Sequence, residues 1–303
     1  HQSGRRQRQM CIRDRSAAPP GAIRRIVYLG TPGLAVPPLR ALVDAGYEIP
    51  LVVSRADARR GRGAQRLPSP VKAAALELGL PVTDRLADLD EVEADLAVVV
   101  AYGHLIPETM LDRLAFVNLH FSLLPRWRGA APVERAILAG DTTTGVCLMD
   151  LDIELDTGAV YCRTETPIGD DETLDELRGR LVEIGTDQLV RALADGFGEP
   201  EPQVGDPVYA AKITAAEREI DWSQSAVAIH RRVRVGDAFT TWNGKRFKIH
   251  RTRLAAVSDS GVVVSTPVGR LELLEVQPEG KPRMDAVAWA NGARWSADQT
   301  FGS

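Results

Sequence analysis

Asn118 and His120 stand two residues apart at the end of an otherwise apolar run, within N-L-H-F-S-L-L-P-R-W-R-G (118–129). In an extended strand, residues two apart project to the same face. An amide beside an imidazole can stabilise a developing oxyanion and move a proton. A lone histidine there reads equally well as a satisfied core residue; the pair is harder to absorb, because each buried polar group needs its own partner. Asp156 lies in a turn, Leu155-Asp156-Thr157-Gly158. An aspartic protease needs two carboxylates sharing a proton, and D-T-G occurs once. Either Asp156 bonds its own turn backbone, or the turn folds over the sheet edge and Asp156 reaches His120 to hold an imidazolium.

A second chemistry is carried by Arg55, Arg59, Arg60, Arg62 and Arg66, interleaved with Gly61 and Gly63 against the single acid Asp57. The planar guanidinium matches phosphate geometry, so the pattern predicts a surface loop that touches a polyanion. Gly30-Thr31-Pro32-Gly33 sits where a strand passes into a helix, either an anion-binding corner or plain turn chemistry. It is not G-x-G-x-x-G, and G-x-x-x-x-G-K-[ST] is absent, which removes the main support for a nicotinamide enzyme or a P-loop NTPase.

These residues need a frame. Apolar runs at Ile26–Leu29, Ile49–Val53, Leu80–Val82, Leu96–Ala101 and Phe116–His120 read as strands. Helical patterns at Leu34–Val43, Val71–Leu78, Leu105–Leu114 and Pro132–Ala139 alternate with them. Such alternation predicts an α/β fold with a doubly wound, Rossmann-like parallel sheet, whose sites lie at the C-terminal strand ends. After Gly145 the pattern changes to a hairpin-like excursion, Val146–Leu151 and Ala159–Arg163, followed by a long helix, Leu174–Leu193. Residues 24–195 are expected to form a catalytic domain, and the Gly- and Pro-rich stretch 196–207 a linker. In 208–303, a helix at Val227–Val235 and strands at Thr240–Arg251, Gly261–Thr266 and Arg270–Val276 suggest a smaller OB-like β-barrel. Residues 1–23, basic and without periodicity, read as an unstructured extension.

Composition narrows the class. Three cysteines are too few for a disulfide scaffold and suit a reducing cytosol. The five histidines lack metal-site spacing, and no run of eighteen apolar residues exists. A soluble, cytoplasmic, metal-independent protein is expected. The net charge of −4 argues against a uniformly basic nucleic-acid binder, but it is unevenly spread. Residues 24–207 hold 18 basic against 30 acidic residues, whereas 208–303 hold 14 against 10. Local polyanion contact is the implication.

Taken together, R-I-V-Y-L-G-T-P (25–32), G-R-G with P-S-P-V-K (61–72), V-V-V-A-Y-G-H-L-I-P (98–107), N-L-H-F-S-L-L-P-R-W-R-G-A-A-P (118–132), L-D-T-G (155–158) and Y-A-A-K-I-T-A-A-E-R-E-I-D-W (209–222) resemble the methionyl-tRNA formyltransferases. S-L-L-P with L-D-T-G is shared by the wider folate-dependent formyltransferases; the arginine-rich loop and I-D-W narrow the match. The resemblance implies transfer of the formyl group of 10-formyltetrahydrofolate to the α-amine of methionyl-initiator tRNA by a monomer. It implies Asn118, His120 and Asp156 as the catalytic trio. It implies a folate site from His104, Leu105, Ile106, Ser122, Leu123, Leu124, Pro125, Asp152, Ile153, Glu154 and Leu155. It implies tRNA contacts from Arg55, Arg59, Arg60, Arg62 and Arg66, and from Lys245, Arg246 and Lys248, with Arg251 and Arg253 adding to that basic surface. Two departures stand out: Glu154 where the family usually has Gly, and Arg234–Trp242 in place of an R-A-F-N-P-W-P-like run. A formyltransferase acting on a nucleotide amino-sugar, and a catalytically silent RNA-binding protein on the same fold, remain as alternatives.

Overall fold

The computed structural model describes residues 22–59, 66–256, 261–296, 299 and 301–302. Arg60 and Arg62 lie outside the described residues. From its start the chain runs β1 (Ile26–Gly30), α1 (Val36–Asp44), β2 (Val52–Val53), β3 (Ala58–Arg59), β4 (Arg66–Leu67), α2 (Pro70–Glu77), β5 (Val82–Thr83), β6 (Leu96–Val100), α3 (Glu108–Leu111), β7 (Phe116–His120), β8 (Arg126–Gly129), α4 (Pro132–Ala139), β9 (Thr143–Asp150), β10 (Val160–Pro167) and α5 (Leu174–Asp195). Seven of the strands form one sheet in the order β10-β9-β7-β6-β1-β2-β5. β5, β2, β1, β6 and β7 pair in parallel, while β9 and β10 continue the sheet antiparallel beyond β7. The expected excursion after Gly145 is thus part of the main sheet.

Continuous apolar runs are what a sheet covered on both faces requires. All five residues of β1 and of β6 are buried. Ile26, Tyr28 and Val98 pack on one face with Leu39 of α1 and Leu177 and Leu181 of α5; Val27, Leu29 and Val99 pack on the other with Met110 and Leu111. Local chemistry sets the helix ends. The side chain of Ser69 caps α2, with Pro70 at its first position, and Thr173 with Glu176 forms a reciprocal capping box on α5. α5 crosses β9 closely at Gly185, where a Cβ would press on Val146.

The helix expected over Leu105–Leu114 is only the four residues of α3. Pro107 caps it, and His104-Leu105-Ile106 stay in a loop above the sheet edge. At the Gly30–Gly33 corner the Thr31 hydroxyl donates to the Tyr102 carbonyl, at 3.2 Å, tying this turn to the loop that follows β6.

The chain then passes through β11 (Val208–Ala210), α6 (Ala226–Val235), β12 (Phe239–Trp242), β13 (Lys245–Leu254), β14 (Val262–Ser265), β15 (Arg270–Pro278), β16 (Met284–Asp285) and α7 (Ala286–Ala293). The single strand expected over Thr240–Arg251 is a hairpin instead, turned at Asn243-Gly244, both at positive φ. Asn-Gly is a strong hairpin signal because both central positions tolerate that conformation. The strands pair antiparallel as β12-β13-β15-β14, with β16 on β15. This part of the chain is thus β-rich, as expected, and among the described residues no pairing joins β12 to β14. Its own core gathers Ile229, Phe247, Leu271 and Trp289. Among the described residues no helix is long and apolar enough to cross a membrane.

Candidate active site

β7 delivers Asn118 and His120 to one end of the sheet, in register with Met149 and Cys147 of β9. His120 is 5% exposed, and its Nε2–H donates to the Trp127 carbonyl at 2.9 Å. A carbonyl only accepts, so this bond assigns the Nε2 proton and fixes the ring plane. The other ring nitrogen, Nδ1, faces Asp156 Oδ2 at 3.6 Å, too far for a direct hydrogen bond. The same Oδ2 accepts the Gly129 backbone N–H at 2.7 Å. Asn118 is half-buried, and its side-chain amide makes no hydrogen bond among the described residues, which leaves its N–H groups for a bound ligand. The structure therefore brings together the three residues singled out from the sequence.

Both groups that flank the imidazole sit on unusual backbone. Trp127 has φ +66° and Asp156 φ +55°, a left-handed region in which a Trp is a genuine outlier and an Asp is tolerated. Such conformations persist when the surroundings over-determine them. β8, which carries Trp127 to Gly129, pairs in parallel with β11, and the Gly129 position closes on the Ala210 carbonyl, where a Cβ would crowd. The 155–158 turn closes through Asp150 N–H to the Ala159 carbonyl at 2.8 Å, and a Cβ on Gly158 would overlap the Asp150 carbonyl.

Of the residues expected to hold folate, Leu105, Ile153 and Leu155 expose 67%, 49% and 50% of their surface. Large apolar side chains left in water around a polar site fit a flat, partly apolar ligand. Asp152, Glu154 and His104 are exposed beside them. Glu154 leaves its side chain in solvent while its carbonyl accepts the Thr157 hydroxyl at 3.2 Å. Ser122 and Leu124 are fully buried, Ser122 donating to the Arg126 carbonyl at 2.6 Å, so they shape the loop from beneath. Leu123 lines a separate cavity of about 340 Å³ with Trp127 and Asp141, and Pro125 is half-buried.

Arg55, Arg59 and Arg66 are exposed, the last two opposite one another on the β3–β4 ladder. Arg55 also donates to the Gly103 carbonyl at 3.0 Å, beside the His104 loop. In the second sheet Lys245 and Arg246 are exposed, and Arg246 lies over the Phe239 ring at 3.7 Å. Lys248 pairs with Asp237 at 3.3 Å, Arg251 reaches Glu176 at 3.7 Å, and Arg253 pairs with Glu272. The basic surface expected there is thus partly neutralised. The departing segment 234–242 ends α6: Arg234, 8% exposed, donates to the Glu172 and Gly169 carbonyls, both at 2.7 Å.

Sequence reasoning missed Gln203 and the role of Arg128. Gln203 donates to the carbonyls of Asp156 and Gly158 at 2.9 and 2.8 Å, while Arg128 donates to its Oε1 at 2.9 and 2.7 Å. Its Gly- and Pro-rich setting signalled only a linker.

The parallel sheet with this polar edge site, followed by a β-rich domain, is the architecture of a formyl-transferring enzyme. The formyl transferase family model matches residues 24–193, and the formyl transferase C-terminal domain model matches 212–294. The methionyl-tRNA formyltransferase of Jannaschia sp. (strain CCS1) is 44% identical over 294 residues, covering 89% of this chain and 97% of that protein. That of Ruegeria pomeroyi is 43% identical over 292 residues, covering 88% and 97%. The chain belongs to the methionyl-tRNA formyltransferase family. Two solved structures share the fold. The N-formyltransferase of Helicobacter canadensis has a TM-score of 0.63 at 16% identity, over 83% of this chain and 99% of that one. The methionyl-tRNA formyltransferase of Clostridium thermocellum has a TM-score of 0.60 at 13% identity, over 84% and 98%.

Proposed function

We propose that this protein transfers the formyl group of 10-formyltetrahydrofolate to the α-amine of methionyl-initiator tRNA. The convergence of Asn118, His120 and Asp156 at the end of β7 is the observation that carries the reading. The amine attacks the formyl carbon, a C–N bond forms, and negative charge gathers on the formyl oxygen. Asn118, whose amide N–H groups are unengaged among the described residues, donates to that oxygen, as preorganised donors do at their most effective. His120, held by the Trp127 carbonyl, presents Nδ1 to the reacting atoms, and Asp156 balances its charge. The C–N bond to folate then breaks, and the proton lost by the amine passes by way of His120 and Asp156 to the departing nitrogen.

The exposed Leu105, Ile153 and Leu155 support a folate site beside the trio, with His104 and Asp152 supplying polar contacts. Arg55, Arg59 and Arg66, together with Arg60 and Arg62, serve as phosphate contacts, joined by Lys245 and Arg246. Residues 24–195 and 208–303 act as catalytic and tRNA-binding domains, and the enzyme works in the cytoplasm as a monomer. The arginine-rich loop favours tRNA over a nucleotide amino-sugar as acceptor. The test offers the purified protein both acceptors side by side with the same formyl donor. Formyl-methionyl-tRNA should form and formylated sugar should not; the reverse outcome overturns the reading.

A further inference from the structure

The stretch 196–207 has the composition of a tether, yet one side chain in it is fully committed. A glutamine amide has two acceptor lone pairs and two N–H groups. Gln203 uses all four: Oε1 accepts Arg128 Nε at 2.9 Å and Nη2 at 2.7 Å, and Nε2 donates to the carbonyls of Asp156 at 2.9 Å and Gly158 at 2.8 Å. The guanidinium has no acceptor, so the amide cannot be turned over without setting its NH₂ against Arg128. The chain around it is docked as well. Glu201 bridges Val160 of β10 through two backbone bonds, at 2.8 and 2.9 Å, and Val208 N–H donates to the Pro125 carbonyl at 3.2 Å. Gln203 is thus held from both sides, and what it holds is the peptide of Asp156 in its left-handed conformation.

We infer that Gln203 is a positioning residue for Asp156: clamped by Arg128, it fixes the 156–158 carbonyls and thereby the placement of the carboxylate 3.6 Å from His120. The inference rests on the catalytic reading of Asp156 and goes beyond it. It makes the segment between the two domains a working part of the active site. A carboxylate held on a turn needs such support, because a shift of about 1 Å at a catalytic group can cost on the order of 100-fold in rate.

The test turns on Gln203→Glu, which keeps the length and the bond to Arg128 and loses both donors to the turn. In formyl transfer to methionyl-initiator tRNA, kcat should fall roughly 10- to 100-fold, with KM for either substrate within about twofold and Tm maintained. If Gln203 acts through Asp156, adding Gln203→Glu to Asp156→Asn should cost nothing more. Should Gln203→Glu fail to fold, Gln203→Met, neutral and of similar length, is read in the same way. Wild-type kcat in the folded variant, a fully multiplicative loss in the double variant, or a loss that tracks Tm and KM instead of kcat would each overturn the inference. Full activity in Asp156→Asn alone would strike at the catalytic reading itself. An inactive Asp156→Asn beside a fully active Gln203→Glu would remove only the role of Gln203.

Discussion

At the scale of the residue, the site separates three tasks. In the proposed reaction Asn118 supplies N–H donors that are unengaged among the described residues, His120 works through Nδ1 while Nε2 is held by the Trp127 carbonyl, and Asp156, 3.6 Å from Nδ1, has one oxygen tied to the Gly129 N–H. Replacing Asn118 by Ala should therefore lower kcat by ~10²–10³, the usual consequence of losing one oxyanion donor. KM should change little, because the bond strengthens only as charge develops. Single-turnover formyl transfer measures this directly, and an unchanged rate would remove Asn118 from the chemistry. His120→Ala and Asp156→Asn should each lose at least about two decades on the same assay, since proton transfer by a positioned side chain contributes on that order. Asn118 and His120 stood out as a pair because polar side chains interrupt an apolar strand, whereas Asp156, on a turn, joined them only through the family resemblance. The Trp127 carbonyl and the Gly129 N–H were not legible, because every residue type carries a backbone and only the fold decides where it points.

At the scale of the element, strands buried on both faces were the most legible features. β1 and β6 are buried at every position and carry no polar side chain but the Tyr28 hydroxyl, a pattern that few other structures need. α3 was overestimated because Leu105, Ile106, Met110 and Leu111 mimic a helical stripe, whereas Pro107 cuts it and leaves Leu105 in solvent. β8 and β11 were illegible, since their pairing joins segments about eighty residues apart through backbone alone. The capping box of α5 gives a prediction at this scale. Thr173→Ala removes the acceptor for the Glu176 N–H and should cost about 1 kcal/mol, read as a lower Tm with activity per folded molecule retained. The β3–β4 ladder gives another. If Arg59 and Arg66 meet phosphate, Arg59→Ala and Arg66→Ala should each reduce the salt slope of tRNA affinity by roughly 0.7–0.9. Folate affinity should stay as it is, and an unaltered slope would mean that the ladder does not touch the acceptor.

At the scale of the whole molecule, the two domains are joined by more than a tether. Arg135 of α4 donates to the Ala211 carbonyl at 2.9 Å and pairs with Glu217 at 2.6 Å, while Arg234 of α6 reaches back to Gly169 and Glu172. His230 of α6 sits between the Thr252 hydroxyl and the Asp170 carbonyl, with Asp171 and Arg234 nearby. These contacts make docking pH-dependent, and the signs follow from linkage. The Arg135 hydrogen bond, with help from Thr214, lowers Glu217 from 4.5 to about 2. The stability this contributes is complete above about 4.5 and fades as pH falls toward 2. Burial lowers His230 from its ordinary 6.5, against the pull of Asp170 and Asp171. The unfolded ring takes up a proton that the buried ring refuses, so stability is present above 6.5 and drains away as pH falls below it. Acid should therefore loosen the molecule in two steps. Across a calorimetric pH series, Glu217→Gln should have a lower Tm than the wild type at neutral pH, and the two curves should converge as pH drops below about 4.5, where the carboxylate loses its advantage. His230→Asn should flatten the earlier step, between about pH 7 and 5, and leave the later one in place. Curves that run parallel throughout would mean that these two groups do not govern how the domains hold together.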